Sequence, residues 1–188
     1  MKLIAFEPDA ENFKLLRVNS ILNNVEDKMT LVNYGLGNRP DELKMYKYPG
    51  NPAANTVVKA IGKDKPTETI KIIALDDWLA ENKITASSVK YMWIDTEGFE
   101  AQVILGAKNL IRQNPVPMFA ECNLGHWDES GCFEEMMTLL EEHYTHFILF
   151  ANGKEIVYPL ETLRTIERPN TEMRRIGDIF IFKAGAID

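Results

Sequence analysis

The sequence has only two cysteines, Cys122 and Cys132, among its 188 residues. They form no Cys-x-x-Cys pair and no cysteine and histidine set with the spacing of a zinc site. This argues against a small scaffold held by disulfides and gives no indication of structural zinc. Because free cysteines are typical of reducing compartments, we expect a cytoplasmic protein.

The sequence also lacks long apolar runs and basic blocks. No stretch approaches the ~20 apolar residues that a membrane-spanning helix needs, and no basic segment followed by an apolar one marks a secretory leader. The net charge is −7 at pH 7, and such a charge is repelled by nucleic acid and by anionic membranes. We therefore expect neither a membrane nor a nucleic acid as a partner.

What the sequence does contain is an alternation of short apolar strands with helices. It opens with a strand at Leu3–Phe6, a helix that is capped by Asp9 and ends near Asn23, and a strand at 29–34. This order is typical of a right-handed parallel crossover. We predict a single α/β domain over 1–188, with a mostly parallel sheet and an antiparallel strand near the C-terminus. Further strands are predicted at 42–48, 67–73, 89–94, 116–120, 147–150, 156–158 and 179–182, and further helices from Leu75, over 98–111 and around 133–140.

Glu7 follows the first strand directly. Open α/β sheets bind ligands at the carboxyl ends of their strands, and a carboxylate there can accept hydrogen bonds from both hydroxyls of a ribose. The alternative is that Glu7 only stabilises the positive end of the helix that follows it. Its position alone does not separate the two interpretations.

Asp95 and Glu97 form a second acidic group, again just past an apolar strand, and Gly98 permits a tight entry into the next helix. Two carboxylates at such a turn can contact a cationic cofactor centre, orient a substrate hydroxyl, or bind a divalent metal together with Glu121. The structural alternative is that Asp95 caps the helix while Glu97 and Glu100 stabilise its first turn.

Glu121 and His126 lie at the end of a third apolar strand, where they can face a substrate. His126 can titrate near neutral pH, but no nucleophile, base and orienting group occur together in the pattern of a catalytic triad. The single Gly-x-Gly, at 35–37, is followed by Pro40 rather than by a long helix. It is therefore a weak signal for a phosphate-binding loop.

Several short blocks occur in a specific order between roughly residues 3 and 123. In chain order they are Phe6-Glu7-Pro8 leading into 12–16 and Asn19, then Leu75-Asp76-Asp77, Ile94-Asp95-Thr96-Glu97-Gly98 and Leu105-Gly106-Ala107. Taken together they resemble the FkbM family of S-adenosylmethionine-dependent methyltransferases. The resemblance implies a Rossmann-like fold, S-adenosylmethionine as the cofactor, and methyl transfer to a hydroxyl oxygen of a small molecule or a sugar.

The resemblance also implies roles for individual residues. Glu7 would hold the cofactor ribose, and the turn at 33–36 would lie near the adenine. Asp95 and Glu97 would be the catalytic acidic turn, with Asp95 also facing the cofactor. The complete set that we predict is Glu7, Asn33, Gly35, Leu36 and Asp95 for the cofactor, Asp95 and Glu97 for catalysis, and Glu121 and His126 for the substrate, with no metal.

The sequence departs from the family pattern in lacking its first strand and the glycine-rich loop behind it. That strand lies between the counterparts of Leu3–Phe6 and 89–94, so two apolar edges are left open. We expect these strands either to close on one another or to recruit a second chain as a homo-oligomer. We also expect this form to bind S-adenosylmethionine poorly or not at all, which would leave it inactive.

Two other functions compete with a methyltransferase. A noncatalytic binding or assembly module would explain the missing loop, although the retained acidic residues oppose it. A NAD-dependent enzyme would share Glu7 on an adenosine ribose but would explain none of the later blocks.

Overall fold

The computed structural model describes residues 2–59, 64–151, 153–166 and 175–185. Most predicted strands and helices are present, some with shifted ends. The strands are β1 (Leu3–Phe6), β2 (Met29–Val32), β3 (Gly35–Leu36), β4 (Asp41–Tyr46), β5 (Thr67–Ile73), β6 (Met92–Ile94), β7 (Met118–Asn123), β8 (His146–Ala151), β9 (Lys154–Pro159) and β10 (Arg175–Phe182). The helices are α1 (Ala10–Leu22), α2 (Leu75–Glu81), α3 (Glu100–Leu105), α4 (Lys108–Gln113), α5 (Leu124–Glu129), α6 (Phe133–His143) and α7 (Thr162–Thr165). None of the helices within these ranges is long and apolar enough to span a membrane.

The strands form three sheets in the described residues. The strand β1 pairs with β2, β5 lies between β3 and β4, and a five-stranded sheet has the order β6-β7-β10-β8-β9. The pairs β1–β2, β3–β5 and β6–β7 are parallel, while the other four pairs are antiparallel. The expected mostly parallel sheet is therefore not confirmed. The physical reason is that β8 and β9 form a hairpin and β10 inserts beside β7 in the opposite direction.

The main core lies on one face of the five-stranded sheet. Met92 and Ile94 in β6 are buried there, whereas Trp93 between them points to the opposite face and is 65% exposed. This alternation follows from the two-residue period of a strand. Helices α3, α4 and α6 supply the other side of the core, with Ile104, Ile111 and Met136 among their fully buried side chains.

The helix predicted over 98–111 is in fact two helices, α3 and α4. The chain bends at Gly106, where an added Cβ would lie 2.0 Å from the backbone oxygen of Gly37. Asp76 fixes the bend from α2, because its carboxylate accepts the backbone N–H groups of Asn109 at 2.7 Å and Leu110 at 2.9 Å. These contacts join three regions that are distant in sequence, so the break has a tertiary cause.

The predicted N-cap of helix α1 is confirmed, but few side chains of the helix are buried against the rest of the protein. Asp9 accepts the backbone N–H groups of Glu11 and Asn12 at 2.8 and 3.1 Å, as an N-cap does. Among the residues of the helix only Ser20 is buried. Leu15, Val18 and Leu22, spaced three and four apart on one helix face, are at least half exposed.

The strands β1 and β6 do not pair with each other in the part of the chain that the structure describes. Each ends its sheet, since β1 pairs only with β2 and β6 only with β7. The expectation that these strands close directly on one another is therefore wrong. Within the described residues the two strands belong to separate sheets, so the second edge of each has no strand beside it.

Candidate functional site

One part of the candidate site lies around Pro8 and consists of Glu7, Asn33 and Gly35; it is called the Glu7 corner below. The Glu7 carboxylate accepts the Asp9 backbone N–H at 2.8 Å, so one of its oxygens is fixed. Asn33 donates its side-chain N–H to the backbone oxygens of Glu7 and Pro8 at 2.8 and 3.2 Å. Gly35 faces the Pro8 ring, since a Cβ there would lie 3.4 Å from the Pro8 Cβ. The structure thus brings together three of the predicted cofactor residues, and Leu36 follows them in β3.

The same corner contains a partly buried ion pair. Asp9 is 1% exposed and pairs with Lys47, while the Asn55 side chain donates to the same Asp9 carboxylate oxygen at 2.8 Å. Burial acts to raise the pKa of Asp9, but the hydrogen bonds from Lys47 and from the helix N–H groups outweigh it and lower that pKa. Burial also raises the pKa of Glu7. Glu7 is thus the more easily protonated of the two carboxylates.

The second corner is a group of three carboxylates. Asp95, Glu97 and Glu121 each offer an oxygen, and these oxygens all lie within 4.8 Å of one another. Asp95 is exposed, Glu97 is half-buried and Glu121 is buried at the end of β7. This acidic group favours a positively charged neighbour, and one cation or one hydroxyl donor can be shared among its oxygens.

Residues 47–56 connect the two corners. Asn55 contacts Asp9 as described, and its neighbour Thr56 donates its hydroxyl to the backbone oxygen of Glu97 at 2.7 Å. Thr56 is buried and forms a backbone bridge with Tyr46. The Glu7 corner and the acidic group therefore lie against the same segment, on the side of the molecule where β1 and β6 end.

Asp95, in the turn between β6 and α3, does not cap the following helix, which was the structural alternative to a ligand-binding role. Helix α3 begins at Glu100 with Phe99 as its N-cap residue, so Asp95 does not cap it. Glu100, expected only to stabilise a first turn, is fully buried and accepts hydrogen bonds from Thr96, Gly98 and Trp127. The sequence contained no signal for this burial, because Trp127 approaches from a helix 27 positions further on.

His126 lies on α5, a helix that the sequence analysis did not predict. Its backbone N–H is accepted by Asn123, and its Nε2 lies 3.2 Å from the Asn123 side-chain nitrogen. Burial lowers the pKa of His126, although the charges of Glu100 and Glu129 oppose the change. Burial therefore favours the neutral ring, and the described contacts of His126 are with Asn123 rather than with the three carboxylates.

The sequence profile of the Methyltransferase FkbM domain matches residues 2–148. The chain belongs to the FkbM methyltransferase family. Comparison with curated proteins gives no significant match. The fold is similar to the crystal structure of Methyltransferase FkbM from Methylobacillus flagellatus KT at 2.20 Å resolution, with a TM-score of 0.53 and 14% sequence identity.

That comparison covers 96% of this chain but 36% of the solved protein, so the chain spans about a third of that FkbM protein's length. At this identity the similarity concerns the fold. The family assignment therefore rests on the sequence profile, and the fold comparison agrees with the mixed α/β architecture.

Proposed function

We propose that this FkbM chain carries the acidic part of a site for S-adenosylmethionine-dependent O-methylation of a small molecule or a sugar. The observation that supports it is the meeting of Asp95, Glu97 and Glu121 beside the segment that also contacts the Glu7 corner. The donor set fits the cofactor, because a carboxylate suits ribose hydroxyls and an acidic group suits a sulfonium cation.

Each predicted residue has a role in this proposal. Glu7 accepts hydrogen bonds from the ribose hydroxyls with the carboxylate oxygen that the Asp9 N–H does not contact, and Asn33 to Leu36 line the adenine side. Asp95 and Glu97 would lie near the sulfonium and would accept the proton of the acceptor hydroxyl, while the bound cofactor would supply the methyl group to the oxygen of that hydroxyl. Glu121 and His126 orient that hydroxyl. Much of the rate in such a transfer comes from alignment of the reacting atoms.

The acidic group gives this proposal an electrostatic test. We expect the chain to bind S-adenosylmethionine about tenfold more tightly than S-adenosylhomocysteine, because only the former carries a positive sulfur, and tenfold corresponds to ~1.4 kcal/mol. Asp95→Asn with Glu97→Gln is expected to remove this preference. The measurement is a titration with each ligand at millimolar concentration, followed by protein NMR.

The control for this titration is Glu135→Gln together with Asp128→Asn, which change the charge equally at exposed positions outside the acidic group. They are expected to leave the preference unchanged. Equal affinity for the two ligands in the unsubstituted chain contradicts the proposal. So does no binding of either ligand at about 10 mM, a dissociation constant that corresponds to a binding free energy of about −2.7 kcal/mol.

The second candidate function is a noncatalytic binding or assembly module. It is favoured by the edges of β1 and β6 beside which no strand of the described residues lies. We expect the chain to self-associate at tens of micromolar, because exposed strand edges and apolar faces pair with available surfaces. Leu22→Glu is expected to weaken that association, and Arg17→Glu on the same helix is the control. Sedimentation equilibrium measures the mass, and a monomer at all concentrations contradicts the assembly.

Methyl transfer by the same polypeptide to any acceptor in a pool of hydroxyl compounds would exclude the noncatalytic alternative. Self-association does not by itself exclude catalysis. The two experiments together therefore separate an enzyme that assembles from a module that only assembles.

A further inference from the structure

Glu100 is placed unusually for a glutamate at the start of a helix. Such residues ordinarily lie in solvent beside the positive end of the helix, where they interact with its dipole. Glu100 is instead 0% exposed. A buried carboxylate is costly unless it is hydrogen-bonded, so its partners decide what it does in the fold.

The Glu100 carboxylate is enclosed by donors. Its Oε1 accepts the Thr96 backbone N–H at 3.0 Å, the Thr96 hydroxyl at 3.0 Å and the Gly98 backbone N–H at 3.1 Å. Its Oε2 accepts the Trp127 indole N–H at 3.3 Å. Three of these four donors come from the turn that carries Asp95 and Glu97, so Glu100 contacts that turn more than its own helix.

The turn has a backbone conformation that needs such support. Glu97 has φ of 51° and Gly98 has φ of 99°, so two successive residues lie in the left-handed region. A residue with a side chain is disfavoured there by roughly 1–2 kcal/mol, and the conformation persists only where its surroundings fix it. Glu100 fixes the N–H groups on either side of Glu97, and Thr56 fixes its carbonyl.

We infer that Glu100 is a positioning residue whose carboxylate holds the turn 95–98 so that the side chains of Asp95 and Glu97 meet that of Glu121. The inference builds on the proposed function, since it says how the acidic group is assembled. It also explains why a glutamate rather than a glutamine suits this position. An amide in place of Oε2 would direct N–H groups at the indole N–H of Trp127, and two donors repel.

The test substitutes Glu100→Gln and follows two properties by NMR. Exchange of the Thr96 and Gly98 amide protons is expected to become about tenfold faster, because their acceptor is weakened. The chemical shifts of the side-chain carboxyl carbons of Asp95, Glu97 and Glu121 are followed as the pH is changed. In the unsubstituted chain the three titration midpoints are expected to lie at different pH values, because neighbouring carboxylates titrate as a coupled set. In the variant this spread of midpoints is expected to become narrower.

Glu129→Gln is the matched control, because it removes a charge that acts on His126, as Glu100 does, without touching the turn. It is expected to change neither property. An unchanged spread of midpoints in Glu100→Gln, with or without faster amide exchange, overturns the inference, since Glu100 would then serve the fold only. If Glu100→Gln does not fold, Thr96→Val removes one donor and must narrow the spread; an unchanged spread there overturns the inference as well.

Failure of the inference about Glu100 can be distinguished from failure of the proposed function. A chain that binds no S-adenosylmethionine contradicts that function, whereas the spread of carboxyl midpoints needs no ligand. Conversely, a preserved preference for S-adenosylmethionine combined with an unchanged spread in Glu100→Gln contradicts only the role of Glu100.

Discussion

Gly106→Ala is expected to lower the free energy of unfolding by at least about 3 kcal/mol, at the upper end of overpacking costs. The added Cβ would lie 2.0 Å from the Gly37 oxygen and 2.9 Å from the Gly37 carbon. Both are backbone atoms, so no rotamer change relieves the clash and the segment at Gly37 must move away from α3. Urea unfolding followed by circular dichroism measures the change.

Gly131→Ala is the control for Gly106→Ala. An added Cβ at Gly131 meets nothing within 4 Å, but φ is +69°. It is expected to cost only about 1 kcal/mol, the ordinary penalty for a left-handed residue with a side chain. A cost at Gly106 no larger than that at Gly131 would mean that the two segments are not in contact.

Glu7→Gln is expected to weaken binding of S-adenosylmethionine about 10- to 100-fold, since a hydrogen bond to a charged group is worth about 1.5–3 kcal/mol. The affinity for S-adenosylmethionine is also expected to depend on pH. Ribose hydroxyls donate to the ionised carboxylate, and burial raises the pKa of Glu7 above 4.5. Affinity is therefore expected to fall as the pH drops through that raised pKa, and the variant is expected to lack this fall.

The control for Glu7→Gln is Glu11→Gln, which changes the same charge at an exposed position in the first turn of α1. NMR titration between pH 4.5 and 8 measures both affinities and their pH dependence. If Glu7→Gln and Glu11→Gln bind alike, Glu7 does not contact the cofactor, and it serves only the start of the helix.

The sequence was a good guide where structure is determined locally. Asp9 was predicted as a helix cap because its preference for that position acts within three residues. The meeting of Asp95 and Glu121 followed from a general rule, since the carboxyl ends of neighbouring parallel strands lie at one edge of a sheet. The roles of these residues stay predictions.

The sequence was a poor guide where distant segments decide. The break between α3 and α4 depends on Gly37, about seventy positions away, and the burial of Glu100 depends on Trp127. The predicted antiparallel strand near the C-terminus is confirmed in β10, but its position between β7 and β8 depends on contacts between distant segments. Periodicity and local preference contain no information on such contacts.

The central claim is that the Glu7 corner and the acidic group form one site for an adenosyl sulfonium. The most direct measurement is a backbone amide NMR map of the 188-residue chain with millimolar S-adenosylmethionine. The largest amide shifts are expected at Asn33, Gly35, Thr96 and Gly98 together. Shifts at only one of the two corners, or shifts confined to other parts of the chain, would contradict it.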